Sequence, residues 1–228
     1  MIKTVFLDLD DTILDFHKSE REAIKGTLTH LGIDAKDEIL ARYSEINKAC
    51  WERLERGEYT REEVLLNRFK LLFLELGLDT DPKTAKSEYE ERLANTCHFV
   101  DGAIELLENL KGKYDLYITS NGTKRVQTKR LKLADISKYF EEIFISEDIG
   151  ANKPNIAFFE RVFSKIKGFD KSKAIIVGDS LSSDILGGIN AGILTCLFNP
   201  KNKPNTTEIK PDYEINSLDQ LTKLLERI

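Results

Sequence analysis

The 228-residue chain combines 41% hydrophobic with 32% charged residues, the balance of a globular protein large enough for one good-sized domain, or a core with a smaller insert. Its net charge of -5 argues against a general surface for nucleic-acid polymer or anionic membrane, while leaving room for a local basic pocket that takes one small anion. No apolar run approaches membrane length, and Met1-Ile2-Lys3-Thr4 leads straight into a strand-like segment without a leader pattern, so a cytoplasmic protein is expected.

The first element is the apolar run Val5-Phe6-Leu7, which opens onto Asp8-Leu9-Asp10-Asp11-Thr12. An apolar run ending abruptly in carboxylates reads as a buried strand whose C-terminal end projects acids into a crevice. Asp8 and Asp10 share a face if the strand stays extended that far. Two adjacent acids repel, so a cation or a shared proton is expected beside them. The same letters also fit an Asp-rich turn.

A series of amphipathic helices follows. One runs from about Ser19 to Leu31 and stops at Gly32. A second carries Ile39, Leu40, Tyr43, Ile46, Cys50, Trp51 and Leu54 at helical spacing and stops at Gly57. Thr60 with Glu63 forms a capping box for a third helix, through Val64, Phe69, Leu72 and Phe73 to Leu76. Asp81-Pro82 opens a fourth that runs towards Leu93. A helical stretch of this length is too long for a strand-to-strand connection, so it reads as an inserted cap domain, residues 16–97, within a core made of 1–15 and 98–228. Trp51, Phe69 and Phe73 are expected in the core of that insert, with Trp51, Asn47 or Lys48 alternatively facing a substrate.

From Asp101 the pattern alternates. A helix over Ile104 to Leu110 leads to the strand Leu116–Ser120, which ends at Asn121-Gly122. A helix from Val126 to Leu133 leads to the strand Ile143–Ile145. Asn152-Lys153-Pro154 precedes a helix through Phe158, Phe159, Val162 and Ile166. The strand Ala174–Val177 runs into Gly178-Asp179-Ser180, and a Gly-rich helix leads to the strand Ile193–Leu197. A Pro- and Asn-rich loop, a short strand at Tyr213–Ile215 and a closing helix from Leu218 to Leu225 complete the chain. Strands alternating with helices predict an α/β fold: a Rossmann-like, doubly wound parallel sheet interrupted by the all-helical cap.

In a parallel sheet the C-terminal strand ends share one edge, so Asp8 with Asp10, Ser120 with Asn121, Lys153, and Asp179 with Asp184 can converge. Taken singly, the later three clusters also read as a turn, a solvated lysine and a helix N-cap. Their joint order resembles the haloacid dehalogenase-like superfamily. Asp8-Leu9-Asp10-Asp11-Thr12 is similar to its DxDxT motif, Ser120 to its strand-end Ser/Thr, Lys153 to its lysine, and Gly178 through Asp184 to its GDxxxxD motif. Ile46-Asn47-Lys48 with Trp51, Ile145-Ser146-Glu147-Asp148, and Ser183 through Gly192 further resemble the bacterial pyrimidine 5′-nucleotidase branch, the YjjG type.

The resemblance implies a Mg²⁺-dependent phosphomonoester hydrolase. Asp8 would be the nucleophile, forming a phosphoaspartate, and Asp10 the acid that protonates the leaving alkoxide and then the base that deprotonates water. The Asp8 carboxylate, the Asp10 backbone carbonyl and Asp179 would hold Mg²⁺, with Asp184 acting directly or through water. Ser120, the Asn121 backbone and Lys153 would hold the phosphoryl oxygens. Elementary electrostatics supports the set. A carboxylate approaching one phosphate charge at ~3.5 Å meets about 5 kcal/mol of repulsion at an effective dielectric of about 20, so an acid cluster needs a metal ion and a lysine to attract its substrate. Asp10, an acid at neutral pH, would need a pKa raised by burial or by neighbouring carboxylates.

Rivals remain at this point. A sugar-phosphate or acylneuraminate-9-phosphate phosphatase and a phosphomutase use the same acids. A metal-free carbon–halogen hydrolase is disfavoured by Asp10 and Asp179, and a non-catalytic phosphate-binding protein by the intact motifs. The expected partner is a small phosphate monoester, with a monomer or weak homodimer. Cap hinges are expected near Asp15-Phe16 and Phe99–Gly102. Cys50, Cys97 and Cys196 read as reduced thiols, and among the three histidines His17 lies nearest the acidic loop.

Overall fold

The computed structural model describes residues 1–228. In chain order, β1 (Thr4–Leu7) is followed by helices α1 (Phe16–His30), α2 (Asp37–Glu55), α3 (Arg61–Glu75), α4 (Pro82–Ala94) and α5 (Ala103–Leu110). Then come β2 (Asp115–Ser120), α6 (Lys124–Ala134), β3 (Glu142–Ile145), α7 (Ser146–Ile149), α8 (Ile156–Lys165), β4 (Ala174–Gly178), α9 (Leu186–Ala191), β5 (Leu194–Phe198), β6 (Tyr213–Ile215) and α10 (Leu218–Leu225). The chain divides into two compact units, one of Met1–Asp15 with His98–Ile228 and the other Phe16–Cys97.

The first unit is built on a six-stranded parallel sheet in the order β3-β2-β1-β4-β5-β6, the doubly wound α/β arrangement expected. Strand β1 lies between β2 and β4, with Val5 opposite Leu116 on one side and Ile175 on the other. All four of its residues are buried, as suits a central parallel strand covered on both faces. One face packs on an aromatic cluster in which Phe6 lies 5.5 Å from Tyr117 and 5.7 Å from Phe163, and Phe158 lies 5.2 Å from Phe159. The order of connection reverses at β1: the chain builds outward through β2 and β3, then returns to the other side of β1 as β4. That reversal leaves a crevice at the C-terminal ends of β1 and β4, where no crossover covers the sheet edge.

Strand β1 ends at Leu7, where the apolar run ends in the sequence. Asp8 continues the ladder by one bond, its N–H donating to the Val177 carbonyl at 2.9 Å. The chain then turns, with the N–H groups of Ile13 and Leu14 both donating to the Leu9 carbonyl at 3.0 and 2.8 Å. Asp11 takes a left-handed conformation at φ 57° within this turn, a region that Asp tolerates better than most residues. The extended geometry that would have aligned Asp8 and Asp10 on one face is therefore lost after Leu7. Helix α7 and a single π-helical turn at Leu181–Ile185 are further features that hydrophobic periodicity did not signal. Leu133, counted within a helical apolar pattern, is 55% exposed.

The second unit is the four helices α1–α4. Its centre is an aromatic trio: Tyr43 stands 5.4 Å from Phe69 and 5.5 Å from Tyr89, and Phe69 stands 5.7 Å from Tyr89. The Thr60–Glu63 capping box is formed, and Asp81 caps α4 ahead of Pro82. A buried polar chain crosses the unit. Glu20 accepts from Ser44 at 2.5 Å and from Asn47 at 2.7 Å, and the Asn47 oxygen accepts from Arg68 at 3.2 Å. Asn47 is thus committed to an internal network, Phe69 and Phe73 are core, and Trp51 is only half-buried, 5.8 Å from the Arg61 guanidinium.

Cys50 and Cys196 are buried, and no cysteine forms a disulfide. Burial pushes the Cys196 thiol up to about 12 and moves Cys50 in the same direction. An unfolded thiol releases its proton near 9.0 while folded Cys196 keeps it. The folded state therefore binds more protons between those values, and stability must fall as pH rises through that window. Urea midpoints measured from pH 8 to 11 are expected to decline. At pH 8, mass spectrometry after brief alkylation of the native chain is expected to find Cys50 and Cys196 unmodified.

Candidate active site

The crevice gathers side chains from four segments that are far apart in sequence. Asp8 follows β1, Ser120 ends β2, Lys153 precedes α8, and Asp179 and Asp184 lie at the end of β4 and in the π-helical turn after it. At the centre is the Lys153 ammonium, with a side chain 1% exposed. Its Nζ donates to Asp8 Oδ1 at 2.6 Å, to Asp184 Oδ1 at 2.6 Å and to the Thr119 carbonyl at 2.8 Å. All three ammonium protons are thereby used. Burial by itself would push Lys153 down, but the charges and hydrogen bonds of Asp184 and Asp8 outweigh it and hold the lysine above its ordinary value.

The acids feel the same enclosure with the opposite sign. Burial pushes Asp8 well above the carboxylate range; Lys153 pulls it back, and the like charges of Asp184 and Asp10 add to the rise. Asp179 is also raised, by the protein packed around it and then by Asp8, Asp184 and Asp11. Asp179 keeps a solvent-facing side, which weakens both parts of that push. Carboxylates held together at such expense suit a divalent cation. Oxygens of Asp8, Asp179 and Asp184 lie within 4.8 Å of one another, a hard oxygen donor set that fits Mg²⁺ in chemical type.

The close approach behind this cluster depends on Gly178, the last residue of β4. A Cβ at that position would meet Asp184 Oδ2 at 2.2 Å. Asp184 is further fixed by the Ser180 N–H, which donates to Oδ2 at 3.2 Å. Asn121 acts through its side chain: Oδ1 accepts from the Lys153 N–H at 2.9 Å, while Nδ2 donates to the Lys153 carbonyl at 2.9 Å and to Ser183 Oγ at 3.2 Å. It fixes the loop that carries the lysine, a role that its assignment as a backbone phosphate donor did not foresee. Ser120 Oγ accepts from the Gly122 N–H at 3.1 Å.

Asp10 stands apart from the three clustered carboxylates. Its side chain turns towards α6, where Arg130 Nη1 donates to Oδ1 and Gln127 Nε2 donates to Oδ2 at 2.6 Å. Neither partner was among the residues singled out from sequence. The signal was available in the helical spacing, since Gln127 and Arg130 share the inward face of α6 with Val126 and Leu131, and all four are buried. His17 lies in α1, outside this set.

The motif pattern, the strand order and the acid–lysine cluster agree with the comparison against family models, in which residues 5–198 match the haloacid dehalogenase-like hydrolase model. The chain belongs to this family. It is 40% identical over 223 residues to the HAD-hydrolase YfnB of Bacillus subtilis, covering 98% of this chain and 95% of that one. A magnesium-bound crystal structure of YfnB, described as revealing interdomain movement, superposes with a TM-score of 0.94 over 100% of this chain and 99% of that one. The pyrimidine 5′-nucleotidase PynA of Streptococcus pneumoniae is 36% identical, covering 99% and 95% of the two chains, and the pyrimidine 5′-nucleotidase YjjG of Escherichia coli is 30% identical, covering 97% and 96%. The chain is therefore a hydrolase of the haloacid dehalogenase-like type, with relatives that are phosphatases. None of its helices is long and apolar enough to cross a membrane.

Removing the lysine leaves Asp8 and Asp184 facing each other without compensation, and breaking a buried pair in this way costs about 3–5 kcal/mol. Lys153→Met is expected to lose about that much in urea unfolding with EDTA present. Added Mg²⁺ is expected to restore part of the loss, since a ligand that binds only the folded state stabilises it. An unchanged midpoint in EDTA would count against the central place given to Lys153.

Proposed function

We propose that this chain is a Mg²⁺-dependent phosphomonoester hydrolase that works through a phosphoaspartate on Asp8, with pyrimidine nucleoside 5′-monophosphates as its substrates. The observation that carries the reading is the buried Lys153 ammonium joined to both Asp8 and Asp184 beside Asp179. This arrangement combines a nucleophile, a fixed positive charge and a hard-cation donor set in one crevice. Asp8, Asp179 and Asp184, with the Asp10 backbone carbonyl, would hold Mg²⁺, which when bound supplies positive charge against the acid cluster and the phosphoryl oxygens.

The remaining chemistry belongs to side chains. An Asp8 oxygen attacks phosphorus as the P–O bond to the leaving alkoxide breaks, and the alkoxide takes a proton from Asp10. In the second half, Asp10 takes a proton from water, which attacks phosphorus and releases Asp8 and inorganic phosphate. Atoms and charge return to their starting state. Ser120 and the Asn121 backbone hold the phosphoryl oxygens, and the Lys153 ammonium exchanges one of its carboxylate bonds to join them and to face the charge that grows there. Unit 16–97 is the cap of this proposal, with its hinges near Asp15-Phe16 and Phe99–Gly102. The nucleotide preference rests on the sequence words shared with the 5′-nucleotidase branch and on the relatives of that name. A cytoplasmic location and a monomer or weak homodimer belong to the same proposal.

Phosphate release from p-nitrophenyl phosphate is expected to require Mg²⁺, to stop on addition of EDTA and to be abolished by Asp8→Asn. Turnover that survives both treatments would sink the mechanism. In a screen across nucleotides and sugar phosphates, pyrimidine 5′-monophosphates are expected to give the highest kcat/KM. A clear preference for a hexose phosphate or a nine-carbon sugar acid phosphate would move the chain to another capped branch.

A further inference from the structure

Helix α6 brings two polar residues into an otherwise apolar contact with the sheet. Arg130 is fully buried and Gln127 is 1% exposed, three residues apart on the inward face of the helix. Burying a guanidinium is expensive unless a partner repays the lost hydration, and a pair of apolar residues would pack there at no such cost. What the two residues reach is the carboxyl group of Asp10, 28% exposed, one oxygen each.

The connections are mutual. Gln127 Oε1 accepts from Arg130 Nη1 at 3.0 Å, while Gln127 Nε2 donates both to Asp10 Oδ2 at 2.6 Å and to Ser120 Oγ at 2.9 Å. Both polar ends of the Gln127 amide are therefore engaged, and the sense of the amide is fixed by its neighbours. The loop after β2 makes room for it, because a Cβ on Gly122 would lie 2.4 Å from Gln127 Nε2. Gln127 thus joins three segments: the turn after β1 through Asp10, the end of β2 through Ser120, and its own helix through Arg130.

We infer that Gln127 and Arg130 are positioning residues that hold the Asp10 carboxyl in the single orientation from which it passes a proton to the leaving alkoxide and later takes one from water. The inference rests on the hydrolase reading above and extends it to two residues outside the recognised motifs. A carboxylate held by two donors on separate oxygens has lost its free rotation about the Cβ–Cγ bond. Proton transfer tolerates little misplacement of the group that performs it. Gln127 also ties that group to Ser120, so the proton carrier and the proposed phosphate-holding hydroxyl keep a fixed relation.

A leaving group that departs without a proton separates this role from a merely structural one. p-Nitrophenolate does so, whereas the alkoxide of glycerol phosphate or of a nucleoside 5′-monophosphate does not. With Mg²⁺ present, kcat/KM is to be measured on both kinds of ester for the parent, Arg130→Met, Arg130→Lys, Gln127→Met, Asp10→Asn and the Asp10→Asn/Arg130→Met double variant. General acid–base catalysis contributes typically ~10²–10⁴-fold. Arg130→Met and Gln127→Met are therefore expected to lose at least tenfold more kcat/KM on the alkyl ester than on the aryl ester. Arg130→Lys, which returns one donor, is expected to fall between Arg130→Met and the parent. The double variant is expected to be no worse than Asp10→Asn alone, as for residues that act as a unit.

Mg²⁺ binding by calorimetry and thermal unfolding establish that the variants are folded with the acid cluster intact. Should Arg130→Met fail to fold, Gln127→Met and Arg130→Lys carry the same comparison. Equal losses on both esters, no loss on either, or additive losses in the double variant would overturn the positioning role while leaving the hydrolase reading in place. A parent chain inactive on every ester would overturn that reading, and this role with it.

Discussion

The crevice at the end of β1 depends on one buried cation. Lys153 sits where no water reaches it and spends its three protons on Asp8, Asp184 and the Thr119 carbonyl. Each acid is unfavourable there without the lysine, and the lysine is unfavourable without the acids. This mutual dependence links the end of β1, the end of β2, the loop before α8 and the turn after β4 into one unit. It also leaves an excess of negative charge on the solvent side, where Asp179 is exposed. A site arranged in this way is preorganised for a cation.

The sheet makes the arrangement possible by geometry rather than by chemistry. Parallel strands put their C-terminal ends on one edge, and the reversal of connection at β1 leaves that edge open between β1 and β4. Two local features then set the distances. Gly178 allows Asp184 to approach the backbone of β4, and Asn121 clasps the main chain of Lys153 through both its N–H and its carbonyl. Asn121 is thus used for the shape of the site through its side chain, a structural use that its place beside a strand end does not reveal.

Asp8 and Asp10, two letters apart, have entirely different surroundings. One faces a lysine and two acids inside the crevice; the other is turned onto α6 by Arg130 and Gln127. The difference arises because β1 stops at Leu7 and the chain folds back over Leu9, so the alternation of an extended strand no longer applies. The roles proposed for the two acids call for unlike environments, and an early turn supplies such environments within three residues. The second unit shows a similar economy, with Glu20, Asn47 and Arg68 forming a buried polar chain inside a helical bundle whose aromatic core was evident from spacing.

The sequence by itself determined the alternation of strands and helices and the run of helices between β1 and β2, and the joint order of its polar clusters, with the superfamily they resemble, singled out Asp8, Asp10, Ser120, Lys153, Asp179 and Asp184 as candidate site residues. The elements were legible because apolar periodicity and strand-end polarity are local patterns, read within a few residues of themselves. Tertiary structure alone decided which acids share Lys153, that Asp10 turns away from them, and that Gln127 and Arg130 lie against it. Those facts concern groups 31 to 145 residues apart, and a polar residue whose helical spacing turns it inward does not say what it faces. Its partner becomes visible only when the sheet brings the two segments together, since burial makes an ionic side chain tolerable only where a partner is already in place.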